Sequence, residues 1–341
     1  MTTPEPNSRT DDQSEDQPDS GAAASRRGPG VALLVRYGFL AVVLVLALWQ
    51  VYTRREKVGE GFSTITAGPL IGALALAGLG AWSGVPAWRG LLAGLGCQLS
   101  GVQTQRVFLL GQLGKYVPGG VWTVLAQATL AKQLAVPRAR SATASLMAVL
   151  LAVIAAASIG ALCLLVSGRQ VLGSWGPTLL LVLPLLAFLH PDVLVWAGRL
   201  VGRVTRRSIE LERLPARIIL SAVGWLAAGQ IVSGLSLYLL TGMIGGRYPN
   251  PLLPIGVSAF ASAVGVLVIF APAGIGPREA IVVLGLTASI GSADLALLVS
   301  LMSRVLLTVI DFGLAAGASV LAGYASRRVQ PSTLPPAAER G

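Results

Sequence analysis

Long apolar runs without charge alternate with short polar connections along most of this chain. Several of these runs exceed the roughly 20 residues that cross a bilayer as an α-helix; they include 61–88, 141–168, 218–246 and 248–277. Leu, Ala, Val and Gly dominate them, without the apolar–polar alternation of a membrane β-strand. Because the backbone must satisfy its own hydrogen bonds in lipid, the pattern predicts helices. We therefore expect an all-α, polytopic membrane protein.

The apolar segments predict about eight transmembrane helices. Their expected bounds are 31–52, 64–84, 143–167, 177–197, 218–241, 253–270, 279–291 and 295–324. The region 88–133 does not fit this pattern, because basic residues interrupt it at intervals too short for a clean span. Within it we expect 90–105 to form a short helix that lies in the membrane or partly enters it. Trp82 and Trp88 flank a Gly-Pro turn and are expected to act as interfacial anchors.

Composition agrees with a membrane protein and narrows the chemistry. The chain is 54% hydrophobic and 12% charged, with a mean hydropathy of +0.72, whereas soluble domains carry roughly 25% charged residues. The net charge of +11 collects in loops, which is typical of topology determinants and not of a nucleic-acid groove. The chain has two cysteines without a CxxC partner and one histidine. We therefore predict no metal and no cofactor.

Loop charges predict the organisation of the chain. Residues 1–30 are acidic and rich in Pro, Ser and Gly, which predicts a disordered cytoplasmic tail. The membrane domain is expected to cover 31–325, followed by a short cytoplasmic tail at 326–341. The connection 198–217 holds six arginines against two glutamates and is expected to be cytoplasmic, with both termini on the same side. The basic loop 53–63 falls outside in this topology; an extra crossing within 88–133 would bring it inside.

Two segments rich in Gly and Pro interrupt the apolar pattern, one in each half. The first reads GQLGKYVPGGVWTVLAQATLAKQL at 111–134. A helix from Pro118 to Ala131 would be roughly 21 Å long, too short to span a bilayer. The second reads FAPAGIGPREAI at 270–281. Both place a basic residue beside the break, Lys115 in the first and Arg278 in the second.

The second segment predicts the start of a new helix inside the membrane. Pro272 removes a backbone donor, while Gly274 and Gly276 permit positive φ. A proline at 277 suits the first helical position, with Gly276 as the cap and Glu279 as the third residue. A helix N-terminus beside Arg278 is a site for an anionic group, and lipid phosphate is the available candidate.

Paired breaks of this kind indicate the binding site of an inverted-repeat transporter. The alternative is that both are tight turns between ordinary helices near the surface. Intramembrane charge adds a second indication, because Arg304 and Asp311 lie seven residues apart in the last helix and each costs about 2.5–3.5 kcal/mol at the bilayer centre. We expect them to form an internal charge pair. Asp311 with Arg278, and Arg304 with Glu279, are alternatives, and the role is either structural or the lining of a substrate pathway.

At these two breaks the chain resembles the lysylphosphatidylglycerol synthase transmembrane region, a flippase-like domain, over roughly 31–325. The resemblance implies a bundle with re-entrant segments that binds or translocates a polar lipid in a bacterial cytoplasmic membrane. It gives ten motif residues as substrate-binding candidates: Lys115, Tyr116, Pro118, Gly119, Gly120, Pro272, Gly274, Gly276, Arg278 and Glu279. "PAG" stands here where the family commonly has "PGG". Full synthases continue into a cytosolic aminoacyltransferase domain; the sequence reads to Gly341 without one, so synthase activity is not expected.

Three functions follow as hypotheses. The first is a flippase-like transporter of an anionic phospholipid or lipid-linked substrate, in which Lys115 and Arg278 hold the headgroup phosphate. The second is a membrane-embedded lipid or glycolipid transferase, although the chain has no DxD or Glu-His pairing near its core. The third is a non-transporting partner of a separately encoded lipid-modifying enzyme.

Overall fold

The structure is a computed structural model that describes residues 66–117, 121–167, 214–268 and 274–329. Every regular element in these ranges is helical, which confirms the all-α class. We number the helices α1 (Ala67–Trp82), α2 (Gly84–Gly94), α3 (Gly101–Gln112), α4 (Trp122–Lys132), α5 (Arg138–Val166), α6 (Ala216–Gly245), α7 (Leu252–Leu267), α8 (Pro277–Ile290) and α9 (Ala293–Val329). A 3₁₀ turn, Leu113–Tyr116, follows α3.

The six predicted helices that fall within these ranges are confirmed, with bounds that differ by at most five residues. The predicted helices 31–52 and 177–197, the tail 1–30 and almost all of the loop 198–217 lie outside the described residues. Four stretches of the described chain are long and apolar enough to cross a membrane: Ala67–Gly94, Arg138–Val166, Ala216–Gly245 and Ala293–Ala325. The protein is therefore a multi-pass membrane protein. Helix α9 continues to Val329, through the predicted domain boundary at 325.

The junction of α1 and α2 is helical, where a turn was predicted. Ser83 has helical backbone angles, and its hydroxyl donates to the Gly80 carbonyl at 2.7 Å. The proline of the expected turn lies in the first turn of α2, where a helix needs no backbone donor. Trp88 is fully buried, and its indole N–H donates to the Ser145 hydroxyl at 3.0 Å. The prediction of Trp88 as an interfacial anchor is therefore wrong.

The predicted helix 90–105 is also wrong, because the chain leaves the helix between α2 and α3. Gly96 has a φ of +74° after the end of α2. Ser100 then caps α3: its hydroxyl accepts from the Gln103 amide at 3.3 Å, and the Gln103 side chain accepts from the Ser100 amide at 3.2 Å. This reciprocal capping satisfies the first free donors of α3 and fixes its start. The Ser-x-x-Gln spacing at 100–103 was the signal for it.

Each broken segment lies between two antiparallel helices that pack on each other. In the first pair, Gly111 on α3 packs against Gln127 on α4, and a Cβ on Gly114 would lie 2.6 Å from the backbone of the first turn of α4. In the second pair, Gly265 on α7 meets Gly274 just before α8. The chain therefore doubles back on itself at both breaks, and glycines allow the close approach.

The two halves exchange their packing partners in the manner of an inverted repeat. In the first half, the long stretch formed by α1 and α2 is followed by the broken pair α3–α4 and the long helix α5. In the second half, the long helix α6 is followed by the broken pair α7–α8 and the long helix α9. The last helix of each half packs on the first helix of the other half's broken pair, α5 on α7 and α9 on α3. The corresponding stretches, α1 with α2 in the first half and α6 in the second, are antiparallel. Gly72 lies against Leu239, Gly80 against Ser233 and Gly94 against Ile218. The halves therefore run in opposite directions.

Apolar side chains fill the interior and also cover much of the outside. One buried cluster joins α2, α3 and α5 around Trp88 and Leu151, and another joins α6 to α9 around Leu240 and Leu286. Several large apolar side chains are more than half exposed on the outer faces of the helices, among them Leu79, Leu162, Leu220 and Leu284. An outer surface of this kind suits contact with lipid tails.

The α1–α6 crossing predicts a stability effect. A Cβ on Gly229 would meet the Ser83 hydroxyl and lie 3.0 Å from the Gly80 carbonyl oxygen. We expect Gly229→Ala to lower the free energy of unfolding by about 1–3 kcal/mol, because the crossing has no room for a methyl group. Gly224→Ala, in the same helix with nothing within 4 Å of its Cβ, is the matched control. Denaturant unfolding of the purified variants in mixed micelles measures both; equal stabilities would contradict the packing.

Candidate functional site where the two broken segments meet

The second break has the helix start that its sequence predicts. Helix α8 begins at Pro277, Gly276 is its cap, and the two glycines of the turn have φ values of +72° (Gly274) and +97° (Gly276). The Gly276 amide donates to Glu279 Oε2 at 2.7 Å. Glu279 thus satisfies a backbone donor at the helix start and places a negative charge where the helix dipole favours one. Pro272 lies outside the described residues.

The first break places Lys115 and Tyr116 in the 3₁₀ turn after α3. The backbone becomes extended at Val117, and the helix resumes at Trp122. The other motif residues of this break, Pro118, Gly119 and Gly120, lie outside the described residues. The helix predicted from position 118 is found from Trp122 onward within the described part of the chain.

Both residues of the first break contact α9, which belongs to the other half. Lys115 Nζ lies 2.6 Å from Asp311 Oδ2, and the Tyr116 hydroxyl donates to the same oxygen at 2.6 Å. The Tyr116 hydroxyl is also 3.4 Å from the Thr308 hydroxyl, and its ring packs on Phe312. Asp311 is 7% exposed. A buried carboxylate of this kind persists because a cation and a hydroxyl compensate its lost hydration.

The second break contacts α9 about two turns earlier. Glu279 Oε1 lies 3.4 Å from Arg304 Nη1 and 4.0 Å from Arg278 Nη1. The Arg278 guanidinium donates to the Ser303 hydroxyl at 3.5 Å, and the residue is 7% exposed. Arg278 is therefore a buried cation whose polar contacts with the described residues are all longer than the roughly 2.7–2.9 Å of a strong charge-assisted hydrogen bond.

These contacts change the pairing expected for α9. The internal charge pair Arg304–Asp311 was predicted within the helix, yet each member has a charged contact on a different broken segment. Arg304 with Glu279, one of the alternatives, is confirmed. Asp311 with Lys115 was not among the alternatives. The seven-residue spacing, about 10 Å of helix rise, places one charge of α9 at each break.

The two breaks open onto one cavity of about 400 Å³ between the helices. Lys115 and Tyr116 line it from the first half, and Arg278, Arg304 and Asp311 line it from the second. Gly274 belongs to the wall as well. The structure thus brings the described motif residues of both halves together, with Glu279 3.4 Å from Arg304 and 4.0 Å from Arg278. The described residues include no group of three or more His, Cys, Asp or Glu side chains placed to hold a metal.

Sequence reasoning missed three glutamines on the cavity wall. Gln112 ends α3, Gln127 lies in α4, and Gln230 lies in α6. Each stands in an apolar stretch, and a carboxamide in such surroundings is a signal in itself, since a buried polar group needs a partner. The Gln127 amide donates to the Phe108 carbonyl at 3.5 Å.

Comparison with known proteins gives one family. The family model described as "Lysylphosphatidylglycerol synthase TM region" matches residues 33–315. This range includes both broken segments and the part of α9 that carries Arg304 and Asp311. A search of the curated proteins gives no match.

The close approach at the second break predicts an effect of a single methyl group. A Cβ on Gly274 would lie 2.8 Å from the Gly265 Cα, at a φ that disfavours other residues. We expect Gly274→Ala to cost about 2–4 kcal/mol of unfolding free energy, from overpacking and backbone strain together. Gly313→Ala, with nothing within 4 Å of its Cβ in α9, should leave stability unchanged or raise it slightly. A Gly274 variant as stable as this control would refute the strained turn.

The Lys115–Asp311 contact predicts an asymmetric pair of variants. Lys115→Met leaves a carboxylate that is 6% exposed without its cation, whereas Asp311→Asn leaves an ammonium whose side chain is 36% exposed and within reach of water. We therefore expect the lysine variant to be the less stable, by about 1–2 kcal/mol, and the double variant to regain part of the loss. Lys132→Met, an exposed lysine at the end of α4, is the control. A strictly additive double-mutant cycle would show that the contact contributes nothing.

Proposed function

This chain belongs to the lysylphosphatidylglycerol synthase TM region family, and we propose that it acts as a flippase-like transporter of an anionic polar lipid. In this proposal the cavity between the two broken segments receives the headgroup, and Lys115 and Arg278 hold its phosphate. The broken segments enter the membrane without crossing it, so that the headgroup is bound within the depth of the bilayer.

The observation that carries the proposal is the surplus of positive charge at the meeting of the two breaks. Of the residues that the structure describes, three cations line the cavity, Lys115, Arg278 and Arg304. Asp311 lines it as well, and Glu279 lies within 4.0 Å of both arginines. Within this described part of the chain one positive charge is left over, which matches the single negative charge of a phosphodiester. The N-terminus of α8 adds a partial positive charge of about half an elementary unit at the same place.

Arg278 is the cation best placed to bind the phosphate. Its side chain is 9% exposed, so water compensates little of its charge. The Ser303 hydroxyl at 3.5 Å and Glu279 at 4.0 Å are its long polar contacts. A phosphate oxygen would give the guanidinium a shorter, charge-assisted hydrogen bond. The free energy of burying this arginine is thus partly recovered when an anionic group enters.

The inverted repeat supports transport over simple binding. A site between two halves that run in opposite directions is the usual arrangement for alternating access, in which one half rocks against the other around the bound substrate. Location in a bacterial cytoplasmic membrane with cytoplasmic termini, and cooperation with a separately encoded lipid-modifying enzyme, stay predictions from the loop charges and the family resemblance.

Leaflet exchange of a labelled lipid tests the proposal. Purified protein is reconstituted in liposomes with acyl-labelled phosphatidylglycerol, and the exchange rate is followed by quenching of the outer leaflet. We expect Arg278→Gln to slow exchange at least about tenfold, because a charge-assisted hydrogen bond to the phosphate is lost. Arg106→Gln removes an exposed arginine of α3 outside the cavity and should leave the rate unchanged.

A folding control distinguishes a rate that falls because the phosphate contact is lost from one that falls because the variant is misfolded. Arg278→Gln should unfold at a denaturant concentration equal to or above that of the wild type, since a buried cation has been removed. Wild-type exchange rates from a folded Arg278→Gln variant would refute the phosphate site, and absence of exchange by the wild-type protein would refute transport.

A further inference from the structure

We propose that the phosphate bound in this cavity carries an uncharged, hydroxyl-rich headgroup, such as glycerol, inositol or a sugar, and that amine-bearing headgroups are discriminated against. This inference rests on the proposed function and names the substrate class of the same site. It depends on which polar groups of the wall are already engaged and which are open.

The carboxylates at the cavity are engaged by the protein's own cations. Asp311 is held at 2.6 Å by both Lys115 and Tyr116. Glu279 accepts from the Gly276 amide at 2.7 Å and contacts Arg304 at 3.4 Å. The remaining acid of the described residues, Asp294, does not line the cavity. Within the described chain, no carboxylate of the wall is left for the ammonium of an ethanolamine or aminoacyl headgroup.

Aromatic rings offer such an ammonium no better site. The described wall holds two aromatic side chains, Phe108 and Tyr116. Phe108 packs on Trp88, and the Tyr116 ring already has Lys115 Nζ 5.6 Å from its centroid. Along the described wall a cationic headgroup would therefore meet three protein cations and find no new anionic or aromatic partner, and like charges in a poorly hydrated site repel strongly.

The open groups of the wall are neutral amides. Gln112 and Gln230 both line the cavity and are partly buried, and neither side chain has a hydrogen bond to any residue that the structure describes. A carboxamide offers two donors and one carbonyl acceptor. Neighbouring hydroxyls of a polyol both donate and accept, so they can satisfy a carboxamide on both sides.

Serine oxygens add acceptors to the same wall. The hydroxyls of Ser83, Ser236 and Ser262 each donate to a backbone carbonyl at 2.7–2.8 Å, those of Gly80, Ala73 and Ser258. Their protons are therefore committed, while the lone pairs of their oxygens can accept from a ligand hydroxyl. The amide groups and serine oxygens of the described wall therefore suit the hydroxyls of a polyol, and the arginines suit the phosphate attached to it.

Binding of short-chain lipids to the purified full chain tests this headgroup class. The probes are dioctanoyl phosphatidylinositol, phosphatidic acid, phosphatidylethanolamine and aminoacylated phosphatidylglycerol, with sn-glycerol 3-phosphate as the soluble polyol phosphate. We expect phosphatidylinositol to bind at least about tenfold more tightly than either amine-bearing lipid. Because each lost hydrogen bond costs about fivefold in affinity, the double variant Gln112→Leu/Gln230→Leu should reduce the preference for phosphatidylinositol over phosphatidic acid about tenfold or more.

Matched variants make each outcome decisive. Gln133→Leu, an exposed glutamine at the end of α4 outside the cavity, should keep the full preference. A folded Gln112/Gln230 double variant that keeps it would overturn the inference, as would tighter binding of an amine-bearing lipid. Equal affinity for sn-glycerol 3-phosphate would overturn the lipid as the source of the polyol phosphate. Arg278→Gln should weaken the binding of all phosphate probes alike. If binding is weakened but the wild-type protein shows no headgroup preference, only the headgroup class is refuted. If Arg278→Gln does not weaken the binding of the phosphate probes, the proposed function is refuted as well.

Discussion

The first amides of a helix have no partner within the helix, and the second broken segment depends on how the Gly276 amide is satisfied. Glu279 accepts from that amide, and the same carboxylate contacts Arg304 and faces Arg278. One side chain therefore both completes the helix start and balances the charges at the cavity. Without this carboxylate, the break would lose both the acceptor of the Gly276 amide and the anion that lies within 4.0 Å of Arg278 and Arg304.

Helix α9 connects this arrangement to the other half of the protein. Its Asp311 compensates Lys115 at the first break, and its Arg304 compensates Glu279 at the second. Both breaks are thus fixed to one continuous helix, at positions two turns apart. Because α9 packs on α3 as α5 packs on α7, the charges lie where the inverted halves meet, and the cavity forms between them.

The elements that depend on neighbouring residues in the sequence could be predicted from it. Apolar runs gave the long helices, and Gly-Pro-Arg-Glu at 276–279 gave the start of α8, since capping depends on residues three apart. Predictions that required the orientation of a side chain were less accurate: Trp88 faces inward to Ser145, and the Ser-x-x-Gln cap before α3 was overlooked in an otherwise apolar stretch. The Tyr116–Asp311 contact joins residues 195 apart in sequence, and no periodicity carries that information.

A cavity with fully paired charges would be the more stable one, yet it would have nothing left with which to bind an anion. Asp311 has two contacts of 2.6 Å, while Arg278, equally buried, contacts the residues that the structure describes at 3.5 Å and longer. A buried charge without short hydrogen bonds lowers stability, and departures of this kind from the usual rules are expected at functional sites. The contrast distinguishes cations that look alike in the sequence: Lys115 also joins the two halves through Asp311, while Arg278 has no contact shorter than 3.5 Å within the described residues and is the cation that gains most from the proposed phosphate.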